Sequence, residues 1–287
     1  GRATENVRPS NRVIRFYNAV GSLPLRLGPA LLILTSLDAI KVVILSGIMQ
    51  RTDAALQVLY DYRPRPWRLL WGLGDHLWQQ SFNCRSVRAR GKFVQEAARV
   101  LLAHLVRGKA IRDGWGRRLI IASIGSGSAS QLLQGIRDNG FGAKELRVIM
   151  VDHDPRALKT GVENAWRMGL EAAIEAQKTT IGRFLAKTAP DSVDLVEMVG
   201  LADYFEETTI KRYFTGIRDV IASGGFFLGA NISNREEMAY AHGAACWPAM
   251  HYRSKEELTT LLKNAGFGRI WTGDCGLYTV WVAKKSA

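Results

Sequence analysis

Two short stretches hold residue types whose spacing could do chemistry. The first is Ile121-Ala-Ser-Ile-Gly125-Ser-Gly127-Ser-Ala-Ser130, lying between an apolar run and a helical pattern. Glycines at such a junction let the backbone approach a ligand and turn sharply into a helix N-terminus. Ser130 stands where a dinucleotide fingerprint has its third glycine, so this loop alone does not choose among nucleotide-type ligands. The second is Val151-Asp152-His153-Asp154-Pro155, in which Asp152 lies 25 residues after Gly127. A carboxylate closing the second strand is placed to accept hydrogen bonds from both hydroxyls of a ribose. The helix cap that such a turn needs is supplied separately, by Asp154 followed by Pro155.

With these motifs, residues 86–287 resemble the class I S-adenosylmethionine-dependent methyltransferases. The resemblance rests on the glycine loop, V-D-x-D-P-x-x-L, D-L-V-E-M-V-G-L with its loop, S-G-G-F-F-L and the closing N-A-G-F turn. It implies a Rossmann-like, mostly parallel seven-stranded sheet with helices on both faces and an antiparallel last hairpin. S-adenosyl-L-methionine would then lie across the C-terminal strand edges, as methyl donor or as substrate, with no metal. By the same resemblance Gly125, Ser126 and Gly127 pack against it, Asp152 holds its ribose and His153 lies beside the adenine. Met198, Val199 and Gly200 line its methionine side. The loops after the fourth and fifth strands offer acceptor-binding groups: Asp203 and Tyr204, then Asn231, Asn234, Tyr240, His242, Trp247, His251 and Tyr252. Tyr204, Asn231, Tyr240 and His242 are the candidates for catalysis, as a base or as part of an aromatic cage around a cation. Arg88 and Arg90 are candidates to pair with the cofactor carboxylate.

The chain departs from the family at two positions. Ser123 stands two residues before the first glycine, where the family carries an acid that helps hold the cofactor ammonium. Thr179-Thr-Ile-Gly-Arg183 lacks the acid that commonly binds the adenine amino group, which leaves backbone groups near Ile181 and Gly182. Without a carboxylate beside it, the amine loses a reason to stay protonated. That admits attack at the aminocarboxypropyl side with release of methylthioadenosine, as in nicotianamine synthase-like transfer or cyclisation to azetidine-2-carboxylate.

The elements that must position these residues follow from periodicity. Strand patterns cover 119–124, 147–151, 192–199, 226–230, 269–272 and 278–283, alternating with helical patterns, which indicates a mostly parallel sheet. Ile210, Tyr213, Phe214, Ile217, Val220 and Ile221 mark a helix expected to end at Ser223-Gly224-Gly225. Ser254 with Glu257 forms a capping box. Residues 86–106 read as one long helix. Residues 1–85 lack strand alternation and read as a helical cover over the α/β domain of residues 86–287, keeping a reactive sulfonium dry. Its helical spacings include Val13, Phe16, Tyr17 and Val20, then Leu56, Leu59 and Tyr60. Arg63-Pro64-Arg65-Pro66 breaks the chain before Trp67, Trp71 and Trp78.

Of 287 residues, 47% are apolar, which supports a sizeable core. Residues 1–120 hold 20 basic and 7 acidic residues and the remainder 19 of each, so the net +13 belongs to the N-terminal part. Cys84, Cys246 and Cys275 are too scattered for a disulfide framework or a zinc site, and a cytoplasmic, reducing compartment fits. In the apolar stretch 23–49, Arg26, Asp38 and Lys41 interrupt any run long enough for a membrane span, and two core-facing helices are expected. The sequence therefore favours methyl transfer to a small molecule, with secondary metabolism as its setting. Side-chain chemistry on the cofactor comes second and nucleic-acid methylation third. The loop Glu197-Met-Val-Gly-Leu-Ala-Asp203 lacks the motifs of the nucleic-acid enzymes, and no recognised RNA-binding module is present. A nicotinamide dehydrogenase is the competitor at the level of fold.

Overall fold

Ser36 opens the described chain as a helix cap, its hydroxyl accepting from the Ala39 N–H at 3.1 Å. The structure, a computed structural model, describes residues 36–63, 69–113, 118–234 and 247–286. It divides into two compact units. Among the described residues the first gathers 36–91, 232–234, 247–252 and 274–278; the second gathers 92–231, 253–273 and 279–286.

The first unit is helical at its N-terminal end. Helix α1 (Leu37–Val43) runs into a π-helical turn (Ile44–Ile48), followed by α2 (Thr52–Tyr60) and α3 (Leu69–Gln79). The 32-residue α4 (Phe82–Asp113) begins here and continues into the second unit. Leu59 is buried as its spacing predicted, and so is Trp78. Val13, Phe16, Tyr17, Val20, Trp67 and the first half of the apolar stretch lie outside the described residues. Buried polar groups tie the helices together. The Asp75 carboxylate accepts from the Ser36 hydroxyl at 2.8 Å and from the Asp38 N–H at 3.0 Å. The wholly buried Gln79 donates to Asp38 at 3.0 Å and accepts from Arg88 at 2.7 Å. No helix of the described residues is long and apolar enough to cross a membrane.

The second unit is built on a seven-stranded mixed sheet. Its strands are β1 (Leu119–Ile124), β2 (Leu146–Asp152), β3 (Ile174–Lys178), β4 (Val193–Val199), β5 (Ile221–Ile232), β6 (Arg269–Cys275) and β7 (Tyr278–Lys284), in the order β3-β2-β1-β4-β5-β7-β6. The pairs β1–β2, β1–β4, β2–β3 and β4–β5 are parallel. The two residues between β6 and β7 leave room only for a hairpin. β3 is an edge strand of sequence Ile-Glu-Ala-Gln-Lys, whose polar composition gives no strand signal.

Helices cover both faces. Val94, Ala98 and Leu102 of α4 pack on one face, with α5 (Ser130–Arg137) and α6 (Pro155–Arg167), against Ile121, Val148, Met150 and Leu195. On the other, α7 (Ile181–Lys187), α8 (Glu207–Val220) and α9 (Lys255–Asn264) pack on Ala122, Ile124, Val196 and Met198. One region departs from expectation. Helix α8 ends at Val220, and Ser223-Gly224-Gly225 lies inside β5 rather than closing the helix. Val193 pairs with Ile221 but Leu195 with Phe226, so three extra residues bulge out, with Gly224 at φ +79°. Further along β5, Gly229 leaves room for the buried Trp281 ring, which a Cβ would meet at 2.1 Å.

Candidate functional site

β1 is the strand where the chain order reverses, with β2 on one side and β4 on the other, and ligands in open α/β sheets bind at the C-terminal edge there. The glycine loop leaves β1 at that edge. Gly125 and Gly127 have φ of +63° and +50°, which residues with a Cβ rarely adopt. The Gly125 and Ser126 N–H groups both donate to the Val151 carbonyl, at 2.8 and 3.1 Å, which holds the turn against the end of β2. Ala129 follows at φ +49°, an unusual conformation for alanine, and no side chain caps helix α5 behind it.

Two side chains and one glycine fix this loop from outside. The Asp152 carboxylate accepts from the Gly127 N–H at 3.0 Å with one oxygen and from the Asp154 N–H at 3.0 Å with the other. Asn164 on α6 donates to the Ser128 carbonyl and the Ser130 hydroxyl, both at 3.1 Å. Gly161, one turn earlier on α6, lets the helix approach so closely that a Cβ would stand 3.2 Å from the Gly127 carbonyl. Within the loop, the Ser126 hydroxyl is buried and has no hydrogen-bond partner. A buried hydroxyl without a partner costs about 1–3 kcal/mol, which a ligand group seated on the loop would recover.

Ser123, the serine that replaces the family's acid, is completely buried, and its hydroxyl donates to the Glu197 carboxylate at 2.5 Å. The two residues are opposite partners in the β1–β4 ladder. The alternation along the strands turns both toward the face covered by α4, α5 and α6, the side of Ile121 and Leu195. A carboxylate carried by β4 thus stands beside the serine that β1 has in place of the family's acid.

A second node lies beyond β4. The buried Arg253, just before α9, donates to the Asn231 side-chain oxygen at 2.8 Å, to the Ala202 carbonyl at 3.1 Å and to the Phe205 carbonyl. It ties the loop after β4 to the end of β5. Burial pushes the Arg253 guanidinium pKa down from its usual value, against the opposing pull of Asp203, Glu207 and Glu257.

The expected cofactor residues Ser123, Gly125, Ser126, Gly127 and Asp152 come together at this edge. His153 is well exposed beside them, with Nδ1 3.4 Å from Asp152 Oδ1. Ile181 and Gly182 open helix α7, whose cap Thr180 accepts from the Arg183 N–H at 3.4 Å, and Gly182 is exposed with space around it. Met198 is wholly buried in the core, so its side chain packs the sheet rather than lining a cleft. Val199 is partly buried, and Gly200 turns the chain at φ +74°. Arg88 donates to Gln79 and stacks over Tyr62 at 5.4 Å, inside the first unit, which gives it a tying role there. Arg90 stacks over Tyr278 at 4.4 Å. Asn231 is wholly buried and engaged by Arg253, so it positions a loop rather than presenting a polar group to an acceptor. Tyr204 is half-buried in the turn after β4; Tyr240 and His242 lie outside the described residues. Glu197, Asn164 and Arg253 are the site residues that sequence reading missed. Only Glu197 left a signal there, a charged residue inside an otherwise apolar strand.

No protein-family model matches the sequence, and no curated protein does. Solved structures do. A candidate exported protein from Bordetella parapertussis superposes with a TM-score of 0.56 at 13% identity over 98% of each chain. The CurJ carbon methyltransferase gives 0.56 at 12% identity over 87% of this chain and 67% of its own. A candidate O-methyltransferase from Nostoc punctiforme gives 0.53 at 16% identity over 86% and 71%. The fold is that of the class I S-adenosylmethionine-dependent methyltransferases.

Proposed function

We propose that this chain binds S-adenosylmethionine and transfers its methyl group to a small molecule. One observation carries the reading: the Asp152 carboxylate and the glycine loop are wired together at the sheet's switch point, Gly127 N–H to Asp152 at 3.0 Å. That arrangement sets a ribose acceptor beside a backbone cradle. The other groups fit the same ligand. The uncapped N-terminus of α5 suits a carboxylate, because its N–H groups and dipole favour negative charge. The partnerless Ser126 hydroxyl has a polar ligand group to meet. The methyltransferase fold of the neighbours points the same way.

The bound sulfonium supplies an electrophilic methyl carbon; the chain's residues hold and orient it. Asp152 would fix the adenosine end, and the loop 125–127 the opposite end. Both are braced, Asp152 by the Gly127 and Asp154 N–H groups and the loop by the β2 carbonyl of Val151, so the cradle is formed before the ligand arrives. Preorganisation of this kind lowers the ordering cost of binding. Arg253 fixes the loop after β4 that carries Tyr204, which would stand toward the acceptor.

Calorimetry with S-adenosylmethionine, S-adenosylhomocysteine and a nicotinamide dinucleotide tests the reading. Binding of the first two and not the third is expected. Incubation with candidate acceptors should then release S-adenosylhomocysteine only when an acceptor is present. Methylthioadenosine released without one would establish the side-chain reaction instead.

A further inference from the structure

A cavity of about 400 Å³ lies in the second unit, walled by the end of β3 and by helix α7. Three cations line it, Lys178, Arg183 and Lys187, and no carboxylate does. We infer that this cavity is a binding site for a phosphate-bearing small molecule. Its volume is within the range of small-ligand sites. Ile181 and Gly182, beside which an adenine would be held, are not in its wall, and neither are Asp152 and the glycine loop. The site is therefore separate from the one proposed for the adenosyl ligand.

Charge carries the argument. Other exposed cations of this unit meet carboxylates, as Arg99 does Glu96, Arg156 does Asp154 and Lys211 does Glu207. Among the described residues, the side chains of Lys178, Arg183 and Lys187 have no such partner. Glu175, next but one to the lining residue Gln177, is already held by Arg147 at 2.9 Å and by Gln177 at 2.7 Å. Arg183 and Lys187 stand four residues apart on α7, which sets two like charges side by side. Helix stability does not account for Arg183, because a cation in the first turn opposes the helix dipole. A multiply charged oxyanion relieves both conflicts. The guanidinium fork suits two phosphate oxygens, and the lysines add point charges around them. Three cations gathered about one concavity fit a single highly charged group. A nucleic-acid strand instead calls for a groove that follows its spaced phosphates.

Calorimetry with inorganic pyrophosphate tests the site on the wild-type chain, Arg183→Gln, Lys187→Gln and Lys144→Gln. Lys144 is an exposed lysine before β2, at the opposite end of the sheet, and serves as control. The first two substitutions remove exposed side chains, so melting curves should match wild type within about 1 °C. One saturable site is expected, weakened about 10-fold or more by Arg183→Gln or Lys187→Gln and less than about 2-fold by Lys144→Gln. Saturating S-adenosylhomocysteine should not displace the pyrophosphate; displacement would put the anion on the adenosyl loop and overturn the inference. No saturable binding, or equal weakening by all three substitutions, also overturns it. A short single-stranded oligonucleotide bound by a chain that ignores pyrophosphate would assign these cations to nucleic acid instead. A chain that binds pyrophosphate as expected but not S-adenosylhomocysteine keeps this inference and overturns the adenosyl reading.

Discussion

Replacing Asp152 by asparagine separates a carboxylate that organises the loop from one that is merely near it. Its two oxygens accept from the Gly127 and Asp154 N–H groups, each at 3.0 Å, and only 10% of the side chain is exposed. Asparagine has nearly the same shape but only one oxygen. Whichever way the amide turns, its NH2 faces one of those backbone donors. One charge-assisted bond, worth about 1.5–3 kcal/mol, is then lost outright, and the other falls to the neutral range of about 1 kcal/mol. The total is about 3 kcal/mol, which lowers the melting temperature by about 6–12 °C in a domain of this size. Alanine removes the conflict and admits water to both donors, so Asp152→Ala should melt no lower than Asp152→Asn despite the larger deletion. The assay is thermal unfolding of the two variants, followed by calorimetry with S-adenosylhomocysteine and its 2′,3′-dideoxy analogue. The wild-type chain should discriminate between these ligands and Asp152→Asn should have lost most of that discrimination. An asparagine variant melting within about 1 °C of wild type would refute the argument that this carboxylate holds the loop.

Three other perturbations follow from the same structure. Gly229→Ala sets a methyl group 2.1 Å from the wholly buried Trp281 ring, so it should cost about 3 kcal/mol or more, read as a lower urea midpoint at unchanged slope. Arg253→Met strips donors from Asn231, Ala202 and Phe205, and should destabilise by about 3–5 kcal/mol by chemical denaturation, with Arg253→Lys recovering part of the loss. Cys275, whose thiol pKa is pushed up to about 11 by burial and then by Asp274, should alkylate at pH 8 about 100-fold more slowly than an exposed cysteine, as read by peptide mass spectrometry. Because its folded pKa is raised, its contribution to stability is complete below the unfolded thiol pKa and is lost as pH rises from about 9 through 11, and unfolding at those pH values should show that decline.

What the residues determine by themselves is what depends on near neighbours. The caps at Asp154 and Ser254 form as read, because cap and recipient lie two or three positions apart and no other part of the chain is needed. The glycine turn and Asp152 are legible for a related reason, since a backbone at positive φ demands glycine wherever it occurs. The lone polar edge strand β3 and the bulge in β5 were not legible. An edge strand has little apolar face to show, and Ser-Gly-Gly suits a helix end as well as a bulge. Only the tertiary structure decided the rest. Glu197 meets Ser123 across 74 positions because β4 pairs with β1 in one register, and a one-residue slip would turn the carboxylate to the opposite face. Asn164 reaches the loop because Gly161 lets α6 sit close to it, and Arg253 joins two loops that the sheet order makes neighbours. Strand order and register arise from burying both faces of the sheet at once, a condition on the whole domain that no local spacing records.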